Sequence, residues 1–412
     1  MSEQANDGCA AGFGTRLIGR ADDTVVPIGM HDFTEAARRC VLVDKTMFIA
    51  DVLDCDTSVV VCCRPEGFGK SMNLSMLKAF LERPAVGRAD RSLFAGSRIW
   101  DADGGRYRGE YACYPVVSLD FSGAAGSGAA VAGVVRDALS SECVRLLPFL
   151  EAPDLPRDKV RHIERVARGA ANEDEVDSVL AVLIELLEMA FDEQVVLLVD
   201  GYDAAWLSRA GIRGTRDDGS AELLDRVLFD AIVAAGDSMR LACLVGERPG
   251  PAEAALALRG CSYCSATPLS TWCDRWFGFS DAEVEALLSH AGREEYLDDA
   301  REWLEGYRFG GAYCSSPARV IGFLDRGCTP PVRADLYGYA DCLSRVVGDW
   351  NLDRLSVLFD LLEAHGCVEV PLCLGAAGSD EAHADDIWAA LYLSGFLTTD
   401  MTEEAGNGVC LR

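Results

Sequence analysis

No uninterrupted apolar run in this chain of 412 residues approaches the ~18 to 20 residues a bilayer span requires. The most apolar stretch, residues 179–191, is broken by Glu185 and Glu188, so membrane insertion is not expected. The first eight residues are polar and acidic and lack the basic-then-apolar order of a secretory signal, which points to the cytoplasm. Lysine is scarce, standing only at Lys45, Lys70, Lys78 and Lys159, so a lysine in an unusual setting is informative. Positive charge is also in deficit. Thirty-eight basic against sixty-six acidic side chains leave a net charge of −28, a field that repels phosphate backbones and argues against nucleic acid binding through the bulk surface. Metal-ligand pairs are missing too: Cys261 and Cys264, with Cys273 nearby, have ligand-like spacing, but no second CxxC or paired histidine completes a zinc set. The seventeen cysteines are scattered and are read mostly as small buried hydrophobes. No internal repeat is seen.

What is present fits a globular protein of two to three units: half the residues are hydrophobic, a quarter charged and 8% aromatic. Residues 1–23 are Gly-, Ala- and Asp-rich without periodicity and read as a loose leader, with order starting near Val25. Helices are expected at 31–39, 45–53, 71–82, 129–147, 176–191 and 221–235, and strands at 58–63, 115–121, 195–199 and 240–246. Residues 172–175 read as an acidic exposed segment ahead of a helix. Alternation of this kind predicts an α/β layered domain over residues 24–268, with a mostly parallel sheet sandwiched by helices. From Asp281 the strand signal fades, and residues 269–350 read as a helical region with helices at 281–291, 295–306 and 317–324. Residues 351–412 alternate helix, strand, helix and strand (355–365, 367–372, 385–394, 396–399), as a small winged-helix-like unit would.

The chemistry concentrates in Arg64-Pro65-Glu66-Gly67-Phe68-Gly69-Lys70-Ser71. A phosphate-binding loop needs glycine to let backbone amides turn inward, a lysine for the β and γ phosphates, and a hydroxyl on the next helix's first turn for magnesium. Gly69, Lys70 and Ser71 supply these between an expected strand and an expected helix, where the helix N-terminus favours an anion. Arg64, Gly67 and Met72 complete the candidate binding set. Arg64 stands where the GxxxxGK[ST] pattern has its first glycine. The complementary acid is Asp200, at the end of an all-apolar strand, as a second magnesium ligand through water. Gly201 follows it, where many such ATPases have a glutamate that polarises the attacking water.

These residues resemble a bacterial AAA-ATPase-like family of P-loop NTPases, whose members often carry a PD-(D/E)XK nuclease domain after the ATPase. The resemblance runs from Val26-Pro27-Ile28-Gly29 through Val43-Asp44-Lys45-Thr46, the Gly69-Lys70-Ser71 loop, Asn73-Leu74-Ser75-Met76-Leu77, Leu93-Phe94 and Val199-Asp200-Gly201-Tyr202-Asp203. It continues through Phe277-Gly278-Phe279 and Gly306-Tyr307-Arg308-Phe309-Gly310 to Ser394-Gly395-Phe396-Leu397. It implies ATP and Mg2+ as ligands, Arg308 and Arg248 as sensor candidates, and room for a protein partner or self-association. Three departures stand out: Glu66-Gly67 in an arginine-rich loop, Gly201 in place of the Walker B glutamate, and Val245-Gly246 in place of Thr-Gly. They imply binding with slow or absent hydrolysis, with Glu247 as a substitute base from the neighbouring strand end and Gly201→Glu as the change that would restore the base. The alternative is a degenerate member that no longer binds nucleotide and serves as a protein-interaction scaffold. Asp44 and Lys45 are read as structural. The chain stops at Cys410-Leu411-Arg412, where the resemblance implies a linker into the nuclease; no carboxylate–lysine constellation follows, so DNA cleavage is not assigned to it.

Overall fold

A computed structural model describes residues 15–20, 26–84, 87, 89–124, 128–206, 220–304, 306–329, 360, 366–370, 385–399 and 409–411. An antiparallel ribbon of β1 (Leu17–Gly19) and β2 (Val41–Val43) opens it, with the helix Phe33–Arg39 between them. Order therefore begins before Val25: residues 17–19 leave the expected leader because their backbone pairs with 41–43.

The central sheet contains β3 (Val59–Cys63), β4 (Val116–Asp120), β5 (Val195–Asp200), β6 (Met239–Gly246) and β7 (Cys264–Ala266). All neighbours are parallel, in the order β4-β5-β6-β3-β7, so one strand, β6, separates β3 from β5. Successive strand residues point to opposite faces. Val59, Val61 and Cys63 join a core with the helices Gly128–Leu146, Arg157–Ala167 and Glu173–Phe191, while Val60 and Cys62 join another with Met47–Leu53 and Lys70–Leu81. Both faces are covered, which is why β3 and residues 195–199 of β5 are apolar at every position rather than at every second one.

The helix Glu173–Phe191 starts three residues before 176 because Asn172 and Glu175 form a reciprocal capping box, with Glu175 N–H donating to Asn172 Oδ1 at 2.9 Å and Asn172 N–H to Glu175 Oε2 at 3.1 Å. The acidic segment is thus the helix's own first turn, where carboxylates meet the positive end of the dipole.

The 269–350 region is not wholly helical. It holds Asp281–His290, Leu297–Leu304 and Pro317–Asp325, but also a hairpin of β8 (Tyr307–Phe309) and β9 (Ala312–Cys314). Val284, Leu287, Leu304, Val320 and Phe323 pack with Val41 and Val43 of β2. Near the C-terminus β10 (Val368–Val370) pairs antiparallel with β11 (Val409–Leu411), and the helix Asp385–Leu393 is formed. In place of the expected strand at 396–399 there is an isolated bridge from Thr399 to Leu411. Of the expected helix at 355–365 only Asp360 is described; the winged-helix expectation lies largely outside the described residues. No helix among the described residues is long and apolar enough to cross a membrane.

Candidate functional site

The loop leaves β3 at Cys63 and enters the helix Lys70–Leu81, whose Leu74, Leu77 and Leu81 are buried on one side. Its N-cap is Gly69, at φ +82°, and no side chain caps the helix. Gly67 has the same φ of +82°, a left-handed conformation that a side chain would strain. The helix thus presents first-turn amides of Lys70, Ser71 and Met72 with no side-chain oxygen claiming them.

Lys70 arches back over the loop: its Nζ donates to Arg64 O at 2.7 Å and to Pro65 O at 2.9 Å. An ammonium has three donors, so these two bonds leave one for an outside anion. Ser71 lies near the Asp200 carboxylate, across the gap between the helix and β5. Burial pushes the Asp200 carboxyl above its usual range and Asp120 adds to that, while Ser71 and the Lys70 charge pull it back.

Arg64 is a correction. Its side chain is fully buried, with Nη1 donating to Cys63 O and Ala266 O, both at 2.7 Å, and its guanidinium lies 5.0 Å from the rings of both Phe277 and Phe309. Burial lowers its pKa from the ordinary arginine value. Its amide donates to Gly246 O at 3.1 Å, so neither end of Arg64 faces a ligand; its contribution to the loop is the carbonyl that holds Lys70. Arg308 is also committed elsewhere: its Nε donates to Gly310 O at 3.3 Å, its guanidinium lies 5.2 Å from the Tyr313 ring, and its amide donates to Thr398 Oγ1 at 2.8 Å. The structure ties it to its own hairpin rather than to a reaching sensor.

Arg248 sits at the N-cap of the helix Pro249–Leu258, beside the site, with its backbone held at both ends: its N–H donates to Asp203 Oδ2 at 2.6 Å and its carbonyl accepts from the Tyr202 hydroxyl. Asp203 is buried and also accepts the Glu247 N–H at 2.9 Å. Sequence reasoning missed this role. The signal was there, in an aspartate three residues after the strand-end Asp200, but nothing in the sequence says that it reaches the loop after β6. Asp44 and Lys45 are buried and structural. Asp44 accepts from Thr46 N–H at 3.0 Å and Arg98 N–H at 2.8 Å, while Lys45 Nζ pairs with Glu283 at 2.7 Å. Cys261, Cys264 and Cys273 gather no ligand set, and no metal-holding group of three or more His, Cys, Asp or Glu is found among the described residues.

Gly201 has φ +64°, and a Cβ there would lie 2.6 Å from the backbone N and Cα of Ser122. In this backbone the position admits glycine alone, so Gly201→Glu cannot serve as a simple restoration.

The loop is gripped from the C-terminal side. Phe68 is buried against Tyr307 and Phe309, with ring centroids at 4.9 and 4.8 Å. Gly67 O accepts from Ser316 Oγ and from Ala318 N–H, each at 3.1 Å. A Cβ at Gly395 would come within 3.0 Å of the Pro65 side chain, and the Tyr307 hydroxyl donates to Gly395 O at 2.6 Å. None of these contacts is evident from the loop sequence, because their partners lie more than two hundred residues away.

A five-stranded parallel sheet flanked by helices, with a glycine-bearing loop joining its β3 to a helix, is a P-loop NTPase-like fold. The chain belongs to the AAA-ATPase-like family of predicted AAA-ATPases, which it matches over residues 27–247, a little over half its length. Among solved structures, the Walker-type ATPase of Pyrococcus abyssi is similar, with 13% identity and a TM-score of 0.38, over 89% of this chain and 91% of that one. Comparison with curated proteins gives no match.

Proposed function

We propose that this protein binds ATP with Mg2+, hydrolyses it slowly or not at all, and works as a nucleotide-dependent switch. The observation that carries the reading is the position of Lys70: its ammonium is held over the loop by two carbonyls, beside a helix N-terminus that no side chain caps. Lys70 and the first-turn amides of Lys70, Ser71 and Met72 would hold the phosphate oxygens, with Gly67 and Gly69 giving the loop its turn. Ser71 and Asp200, which face each other at the mouth of the loop, would form the hard oxygen pair that Mg2+ prefers, Asp200 acting through water. The bound ion would supply charge neutralisation of the triphosphate.

Slow turnover follows from Gly201, which leaves the position directly after Asp200 without a base. Losing a general base outright costs about 10²- to 10⁴-fold, so with no substitute a typical ~10 per second falls to roughly 0.1 to 0.001 per second, and a substitute from a neighbouring strand recovers part of that. Switching is supported by the grip on the loop, since Phe68, Gly67 and Pro65 connect the phosphate-facing turn to the β8–β9 hairpin and to Gly395. A state that closes the loop on phosphate shifts an equilibrium only through differential affinity for two conformations, and these contacts give the C-terminal part a stake in which conformation is taken.

The test is a melting scan. Nucleotide at about 100 times its dissociation constant stabilises the fold by ~2.7 kcal/mol, and Lys70→Ala is expected to abolish that stabilisation, each shift being read from the protein's own ligand-free melting point because the variant also loses two bonds to loop carbonyls. An equal ATP-dependent shift in both proteins would contradict the assignment. No shift in either would favour a scaffold that no longer binds nucleotide, a role to which the acidic Glu66 on the loop is suited.

A further inference from the structure

With a side chain excluded at Gly201, a base for hydrolysis has to come from elsewhere, and the neighbouring strand end offers one. Strand β6 lies between β3 and β5, with Gly246 opposite Cys63 and Val245 opposite Asp200. The backbone is locked on both sides there: Arg64 N–H donates to Gly246 O at 3.1 Å and Gly201 N–H to Val245 O at 2.9 Å. Glu247 is the next residue. It emerges between the start of the phosphate loop and the Asp200 turn, and Asp203 fixes its backbone through the 2.9 Å bond to its N–H. The charged groups acting on its carboxyl are Lys70, Asp203, Glu66 and Arg248, so Lys70 of the loop is one of the two cations it meets.

Among the described residues, the other carboxylates at this rim are taken or outside. Asp200 faces Ser71 and is the metal-side carboxylate of the reading above. Asp203 accepts two backbone amides. Asp120 is exposed, and its Oδ1 accepts the Ser122 N–H at 2.9 Å and hydroxyl at 2.6 Å. Glu66 stands exposed on the loop. The Glu247 carboxylate accepts no hydrogen bond among the described residues, although burial is strong enough to raise its pKa from the ordinary glutamate value. A carboxyl raised in this way is a better proton acceptor near neutral pH than an ordinary surface glutamate.

We propose that Glu247 is the general base of this site, standing in from β6 for the glutamate missing after Asp200. The proposal rests on the nucleotide-binding reading above. In the step it describes, the Glu247 carboxylate takes a proton from a water molecule. That water's oxygen forms the bond to the terminal phosphorus, and the bridging oxygen leaves with the bonding electron pair on the diphosphate. The proton on Glu247 then passes to solvent.

Glu247→Gln keeps the shape and removes the base. Melting shifts with Mg-ATP and Mg-ADP and single-turnover phosphate release are to be measured on the wild type, Glu247→Gln and Lys70→Ala. The wild type is expected to release phosphate above the Lys70→Ala background, and Glu247→Gln to lower that rate at least tenfold. The Glu247→Gln shift with ATP should equal or exceed that of the wild type, and its gain should be larger with ATP than with ADP, because a negative charge near the terminal phosphate is gone. Phosphate release by Glu247→Gln within threefold of wild type overturns the assignment. So does a wild type that shows an ATP shift but no release above background, and so does a Glu247→Gln protein that loses the ATP shift along with the rate. A wild type with no ATP shift removes the nucleotide reading itself and the base with it.

Discussion

Gly201→Glu is expected to destabilise the protein by about 3 kcal/mol or more and to leave phosphate release no faster than in the wild type. By the family's pattern alone, the substitution restores a missing catalytic group. The structure gives the opposite expectation. At φ +64° a non-glycine residue is strained, and a Cβ 2.6 Å from two backbone atoms of Ser122 has no flexible neighbour to push aside. Relief would have to come from the end of β4 or β5, and that displaces Asp200, which pairs with Asp120 across those strands. Against a total stability of about 5 to 15 kcal/mol for a typical domain, such a loss is readily seen in a denaturant titration. A Gly201→Glu protein with the wild-type midpoint would mean that the turn after β5 adopts another backbone.

Phe68→Ala carries the other large effect. Phe68 is only 2% exposed, and its ring fills a small cluster with Phe309, Cys314 and Tyr307 that is separate from the main cores. Truncating a buried phenylalanine costs about 3 to 5 kcal/mol, and here the loss falls on one local unit. Amide hydrogen exchange should therefore speed up at Gly67 to Ser71 and along Tyr307–Cys314, while β5 and β6 keep their protection. The same variant should need more Mg-ATP for half-maximal stabilisation, because the loop would then have to be ordered by the ligand. Unchanged exchange at both segments would show that the aromatic contact does not hold the loop.

The central sheet was legible because its strands announce themselves. Val59–Cys63 and Val195–Asp200 are runs of valine, leucine and cysteine, broken only by the final aspartate, and Met239–Gly246 is apolar except at Arg240, as burial on both faces requires. β7 was not legible: Cys-Ser-Ala is too short and too weakly apolar, and it forms only because β3 offers an open edge. The hairpin Tyr307–Cys314 was hidden by its brevity, although Gly310-Gly311 at its turn is a signal that could have been used. For the site, the loop motif and the strand-end acid singled out Lys70, Ser71 and Asp200, and the fold puts Lys70 and Ser71 near enough to Asp200 to influence its carboxyl. It failed for Arg64, because being level with a loop says nothing about which way a side chain leaves the backbone. Stacking on Phe277 and Phe309, from distant segments, decides that. The tether from Asp203 to the loop after β6 was equally out of reach, since it depends on β5 and β6 being neighbours.

The most direct measurement is a calorimetric titration of the purified chain with millimolar Mg-ATP, run beside Lys70→Ala. Saturable heat in the wild type that vanishes in the variant is the predicted result. A flat trace for a folded wild-type protein, or the same isotherm for both, would contradict the claim that the turn between β3 and its helix is a triphosphate cradle.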